Sequence, residues 1–285
     1  MLAWKNGAFC EVADGITVAQ MHHGLSLFET FALREGKVEC LEFHWQRLAL
    51  GCAHLGIQSD QRHLGHHSKT AEWSPVLQRL LHAESLSQAI VRLVIIPTSQ
   101  GSFDEWVTVR PLPDTPAKLD LFLLSTVRDE AEWMPRPKSG PWQNSAEAWR
   151  ELQLITSRTD VEGVQCDRRG CVSEATRSSL LWREGNRWFA PAPSTQRLPG
   201  TAALQFIDYL EHSGQSVTEV AQSFPLQAES MVVLRSTFLG GAVLASRCQR
   251  PTGETLWQSD ANQTSTQKIL QEFAHWRTQQ SLKLL

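Results

Sequence analysis

The residues of this 285-residue chain that could do chemistry form no strong hydrolytic or metal-binding pattern. Taken singly, an arginine on a helix such as Arg47 is usually solvated or salt-bridged, and a glutamate after a strand such as Glu174 is usually at the surface. The densest set of possible metal ligands is His22, His23, His63, His66 and His67, which lacks neighbouring cysteines or an HExxH pattern. These read as surface histidines, and no metal is expected. There is no GxSxG nucleophile elbow and no Gly-rich phosphate loop.

Composition narrows the classes further. At 41% hydrophobic residues the chain can bury a large core, and its net charge of −3 comes from interspersed charges, which leaves no footprint for nucleic acid or an anionic membrane. No apolar stretch approaches the roughly 18 residues of a spanning helix, and no basic region leads into an apolar run at the start, so a soluble protein is expected. The six cysteines (Cys10, Cys40, Cys52, Cys166, Cys171, Cys248) include no CxxC pair. Reduced thiols and a cytoplasmic location follow. Eleven tryptophans against one tyrosine read as core and interface packing.

The elements that must position these groups alternate along the chain. Residues 28–33 and 38–41 are β-prone runs around Arg34-Glu35-Gly36-Lys37, a hairpin signal. From Glu42 the apolar spacing becomes helical and ends near Gly56. A second helix is expected over 75–83, then strands over 89–96, 105–109 and 119–127. Residues 128–141, rich in proline, read as a connection. Beyond it come a helix over 145–155, strands over 163–166, 179–183 and 187–190 with a Glu184-Gly185-Asn186 turn, a helix over 201–213, strands over 230–234 and 242–245, and a helix over 265–279.

Two pairs of motifs give this order a family. Gly24-Leu25-Ser26-Leu27-Phe28-Glu29-Thr30 with Glu42-Phe43-His44-Trp45-Gln46-Arg47-Leu48 resembles the YGDGxFET and EEHxxRL segments of fold-type IV pyridoxal-phosphate enzymes. Gly170-Cys171-Val172-Ser173-Glu174-Ala175-Thr176 with Leu198-Pro199-Gly200 is similar to that family's GxVxE and LPGxxR segments. Among its members 4-amino-4-deoxychorismate lyase looks most alike, over residues 144–167 and 172–186.

The resemblance implies an α+β, two-lobed fold of the D-amino acid aminotransferase type. It implies an N-terminal α/β lobe over 1–125, a connection over 126–140, a β-rich lobe over 141–285, and a cleft between the lobes. It implies pyridoxal 5′-phosphate as cofactor, with Arg47, Thr201, Ala202 and Ser236 at the phosphate, Glu174 at the pyridine nitrogen and Leu198 on the ring. It further implies a homodimer acting on a small amino or carboxylate ligand.

In that family the Schiff-base lysine is followed by two residues and then an asparagine, and here Pro141-Trp142-Gln143-Asn144 fills those places. Proline has no amine. Lys138, three residues upstream, is the remaining candidate; at about 3.3 Å per residue the shift displaces its amine by roughly 10 Å and onto the opposite face of a strand. Further departures are Leu25 for an aspartate, Pro97 and Ala203 for arginines, Ala202 for a threonine and Ser179 for an asparagine. Three readings stand: an aminodeoxychorismate lyase-like or class IV aminotransferase-like enzyme using Lys138, a non-catalytic ligand-binding relative, and a lysine-independent enzyme.

Overall fold

The computed structural model describes residues 2–11, 26–39, 41–56, 70–97, 103–130, 134–140, 143–259 and 263–285. Gly24, Leu25, Cys40, Pro141, Trp142 and the five histidines 22, 23, 63, 66 and 67 lie outside them. In chain order the elements are β1 (Leu2–Lys5), β2 (Ala8–Glu11), β3 (Ser26–Arg34), β4 (Lys37–Val38), α1 (Leu41–His54), α2 (Thr70–Ala83), β5 (Ala89–Pro97), β6 (Phe103–Pro111), β7 (Lys118–Leu123) and β8 (Ser139–Gly140). There follow α3 (Gln143–Ile155), β9 (Val161–Cys166), β10 (Val172–Ala175), β11 (Ser179–Glu184), β12 (Arg187–Pro191), α4 (Thr201–His212), β13 (Val217–Val220), β14 (Ser230–Leu234), β15 (Ala242–Gln249), β16 (Thr255–Gln258), α5 (Thr264–Gln279) and β17 (Leu282–Lys283).

They form two compact units. The first comprises Met1–Pro113, Pro137–Pro141 and Gln280–Leu285; the second comprises Asp114–Arg136 and Trp142–Gln279. Each unit holds one sheet. In the first the strand order is β17-β4-β3-β5-β6-β1-β2, with β8 also on β3. The hairpin expected around Arg34 forms: Leu33 pairs with Val38 and Arg34 with Lys37, and Glu35 and Gly36 take positive φ of 49° and 73°. That is the primed turn whose twist suits paired strands, and glycine meets its second position without strain. The carbonyl of Gly36 also accepts the N–H groups of Leu284 and Leu285, which ties the last residues to this unit.

Strand alternation decides what α1 and α2 cover. Leu27, Phe31 and Leu33 share one face of β3 and pack with Trp45 and Leu48 of α1 and Trp73, Leu77 and Leu80 of α2. Glu29 falls in the same register, so a carboxylate is carried into that core. α2 begins at Thr70 rather than at Pro75, which sits inside it.

The second unit's sheet runs β10-β9-β7-β15-β14-β11-β12-β13, with β16 on β15. β7 lies parallel to both β9 and β15, so residues 118–123, expected in the first lobe, belong to this sheet. β7 stops at Leu123 rather than running to residue 127, because the N–H groups of Ser125 and Thr126 turn to the Glu151 carboxylate of α3 (2.7 and 2.8 Å). α3 covers β9 through Ala148 and Leu152, and Phe206 of α4 and Phe273 of α5 meet edge to face over β11, β14 and β15. Trp182, Trp188 and Trp257 are buried here, and Trp45 and Trp73 in the first unit. The five cysteines among the described residues are free thiols. Among the described residues no helix is long and apolar enough to cross a membrane, and no group of His, Cys, Asp and Glu is placed to hold a metal.

Candidate functional site

Arg47 does not stand alone. It lies on α1 one turn after His44, and both side chains reach Glu29 of β3. Arg47 forks onto the carboxylate through Nε (2.8 Å to Oε1) and Nη2 (2.6 Å to Oε2), while His44 Nδ1 lies 2.5 Å from Oε2. Glu29 and His44 are fully buried and Arg47 nearly so. Burial alone would raise the Glu29 pKa; Arg47 and His44 outweigh it and bring it down to about 2. Burial also lowers the His44 pKa against the pull of Glu29, so the neutral ring donates its Nδ1–H to the carboxylate. One of the donors that the resemblance directs at a phosphate, Arg47, is therefore engaged inside the first unit.

Lys138 belongs to the same unit, just ahead of β8. Its carbonyl accepts the Phe28 N–H (3.0 Å), and its Nζ lies 4.6 Å from the centroid of the Phe28 ring. Arg92 of β5 lies over that ring too, at 4.4 Å, with its pKa lowered to about 10 by burial and by neighbouring Arg110. Lys138 is thus a cation resting on an aromatic ring.

In the second unit Glu174 lies on β10, which is buried along its length. Its Oε2 accepts the Leu198 N–H (3.1 Å), and its Oε1 is 2.8 Å from Arg128 Nε, close in distance though not aligned as a hydrogen bond. Arg128 donates onward through Nη1 to Asn144 Oδ1 (2.8 Å) and Ser145 Oγ (3.2 Å), at the start of α3, and Gln165 also donates to Asn144 (3.2 Å). A chain of polar contacts therefore runs from Glu174 to within three residues of Pro141.

Leu198 leads directly into α4, where Thr201 and Ala202 are the first two helical residues. Their cap, Gly200, contributes no side-chain bond, and a Cβ there would lie 2.1 Å from Ser179 Oγ, so any larger residue would make that hydroxyl move. Ser236 follows β14 in a turn closed by the Arg235 N–H on the Gly241 carbonyl (3.0 Å). The turn is anchored through Arg235, which bonds the fully buried Glu162 and Ser178. Of the residues expected at the site, Glu174 and Leu198 are joined directly, Thr201 and Ala202 follow within the same segment, Ser236 lies in the same unit, and Arg47 and Lys138 lie in the other. Glu29 and Arg128 escaped the sequence reading; a charge at an apolar-face position of β3 was the available signal for the first.

This arrangement matches known proteins over most of its length. Its fold is that of the fold-type IV pyridoxal-phosphate enzymes. A branched-chain aminotransferase from the thermophilic archaeon Thermoproteus uzoniensis, solved with norvaline, superposes with a TM-score of 0.77 at 17% identity, over 100% of this chain and 99% of that one. A 4-amino-4-deoxychorismate lyase from Pseudomonas aeruginosa gives 0.70 at 22% identity, over 95% and 98%. In sequence, aminodeoxychorismate lyase of Bacillus subtilis (strain 168) is 26% identical over 231 residues, 75% of each chain. The sequence model of the Amino-transferase class IV family matches residues 26–241, and this chain belongs to that family.

Proposed function

We propose that this chain is an aminodeoxychorismate lyase-like member of the class IV family that holds pyridoxal 5′-phosphate, or a small amino or carboxylate ligand, without a covalent link, and that it no longer performs the lysine-dependent reaction. The lysine position carries this reading. Pro141 offers no amine, and the Nζ of Lys138, the nearest substitute, lies 4.6 Å from the Phe28 ring centroid.

The donor set of the second unit fits the rest of the cofactor. Glu174 keeps an oxygen, Oε2, whose one bond is to a backbone N–H, and so has capacity for a protonated pyridine nitrogen. Leu198 offers an apolar side chain to the ring. The uncapped first turn of α4, through the amides of Thr201 and Ala202, and the hydroxyl of Ser236 suit a phosphate. When bound, the group supplies an aldehyde and an electron sink. The chain's own residues bind and orient; none moves a proton at a reacting carbon. A displaced-lysine enzyme is the second reading, favoured only by the nearness of Lys138 to the family position.

Binding without attachment has a direct test. About 1 mM pyridoxal phosphate should raise the unfolding midpoint by mass action, dialysis should return it, and Ser236→Ala should reduce the rise. No shift at that concentration would remove the ligand-binding reading. We further infer a cytoplasmic protein, from its cysteine usage, and a homodimer, by descent. Twice the 32.1 kDa chain gives about 64 kDa for a two-fold pair. Sedimentation equilibrium should find that mass, and a monomer at tens of micromolar would contradict it.

A further inference from the structure

Consecutive residues of a strand face opposite sides of its sheet, yet Ser173 and Glu174 line the same pocket. The ladder between β10 and β9 explains this. Val172 pairs with Cys166, but Glu174 pairs with Gln165 and Ala175 with Val164, which leaves Ser173 as the extra residue of a bulge. Bulges bend a strand and re-aim its side chains. Here the bulge lets both Ser173 and Glu174 line one pocket.

The pocket they share has a volume of about 10 Å³, close to the least that holds one water. Its other polar lining residues are Ser179 and Arg197. Arg197 already donates to the Pro191 carbonyl and to Glu219. Ser179 Oγ is seated against Gly200 beneath the start of α4. Ser173 is 1% exposed, and among the described residues its Oγ has no hydrogen-bond partner. A buried hydroxyl in that condition costs free energy, which a bridging water recovers almost as well as a direct partner.

We propose that this pocket binds a single water molecule. The water accepts the Ser173 O–H, donates to the Glu174 carboxylate and takes Ser179 Oγ as a further partner. Glu174 is then held from three directions, by Arg128, the Leu198 N–H and the water. The site is built by the bulge and does not depend on any cofactor.

Two experiments on the full chain without ligand test it. A crystal structure that resolves ordered solvent should show one peak within about 3.2 Å of both Ser173 Oγ and a Glu174 oxygen, and Ser173→Val should abolish it. No peak, or one that touches Ser179 alone, overturns the proposal. The second reads a sign. If Ser173 is merely unsatisfied, Ser173→Ala removes a penalty and the unfolding midpoint rises; if water bridges it, the midpoint falls by about 2–4 °C. An unchanged or raised midpoint overturns the proposal. Because no cofactor is present, the outcome is separate from whether the protein binds pyridoxal phosphate.

Discussion

Replacing Arg47 with methionine should destabilise the first unit by about 3–5 kcal/mol, the cost of leaving a buried carboxylate without its cation. Glu29 would keep His44 alone, at 2.5 Å, in a core shared by Phe31 and Trp45. The double variant Glu29→Gln/Arg47→Met should recover much of that loss, since two neutral groups need no compensation. Denaturant unfolding followed by tryptophan fluorescence measures both, because Trp45 and Trp73 lie within this core. A cost below about 1 kcal/mol, typical of an exposed pair, would show that the cluster is solvated. The same cluster sets an acid dependence. The folded pKa of Glu29, about 2, lies below its ordinary value of 4.5, so its contribution is complete above 4.5 and is lost as pH falls through about 2. The interval corresponds to about 3 kcal/mol. Between about pH 5 and 2, Glu29→Gln should flatten the fall in stability seen in the parent chain.

Restoring the amine should have the largest chemical effect. Pro141→Lys supplies the group the family uses, three residues ahead of Asn144, which Arg128 ties to Glu174. If the second unit still holds the cofactor's other groups, this variant, incubated with pyridoxal phosphate and reduced with borohydride, should gain about one pyridoxyl group per chain. Peptide mass spectrometry locates it. A variant that binds the cofactor reversibly yet takes no adduct at the introduced amine would mean that more than the amine has been lost.

How far the sequence led depended on the range of the interaction. Turns and helices are local, so Arg34-Glu35-Gly36-Lys37, the helix expected over 145–155, which begins two residues earlier at Gln143, and the helix opened by Gly200 were legible from a few residues each. The first hairpin was equally local and was passed over: Asn6-Gly7, with φ of 48° and 90°, joins β1 to β2. β7 could not be assigned to its unit from spacing, because its partners β9 and β15 follow it by some forty and some 120 residues. β10 escaped for a physical reason as well: its bulge breaks the alternation by which a strand is recognised. For the candidate site, motif order singled out Arg47, Glu174, Leu198 and Ser236 as expectations, but a motif names only one member of an ion pair. Neither the claim of Glu29 on Arg47 nor that of Arg128 on Glu174 is visible until the chain is folded.

The central claim, that this class IV chain holds its ligand without a covalent bond, is tested most directly by reducing the unaltered protein with borohydride after incubation with pyridoxal phosphate and mapping its peptides. The expected result is no pyridoxyl-lysine and no reducible absorbance near about 410–430 nm. A stoichiometric adduct on Lys138 would contradict it and establish a displaced-lysine enzyme instead.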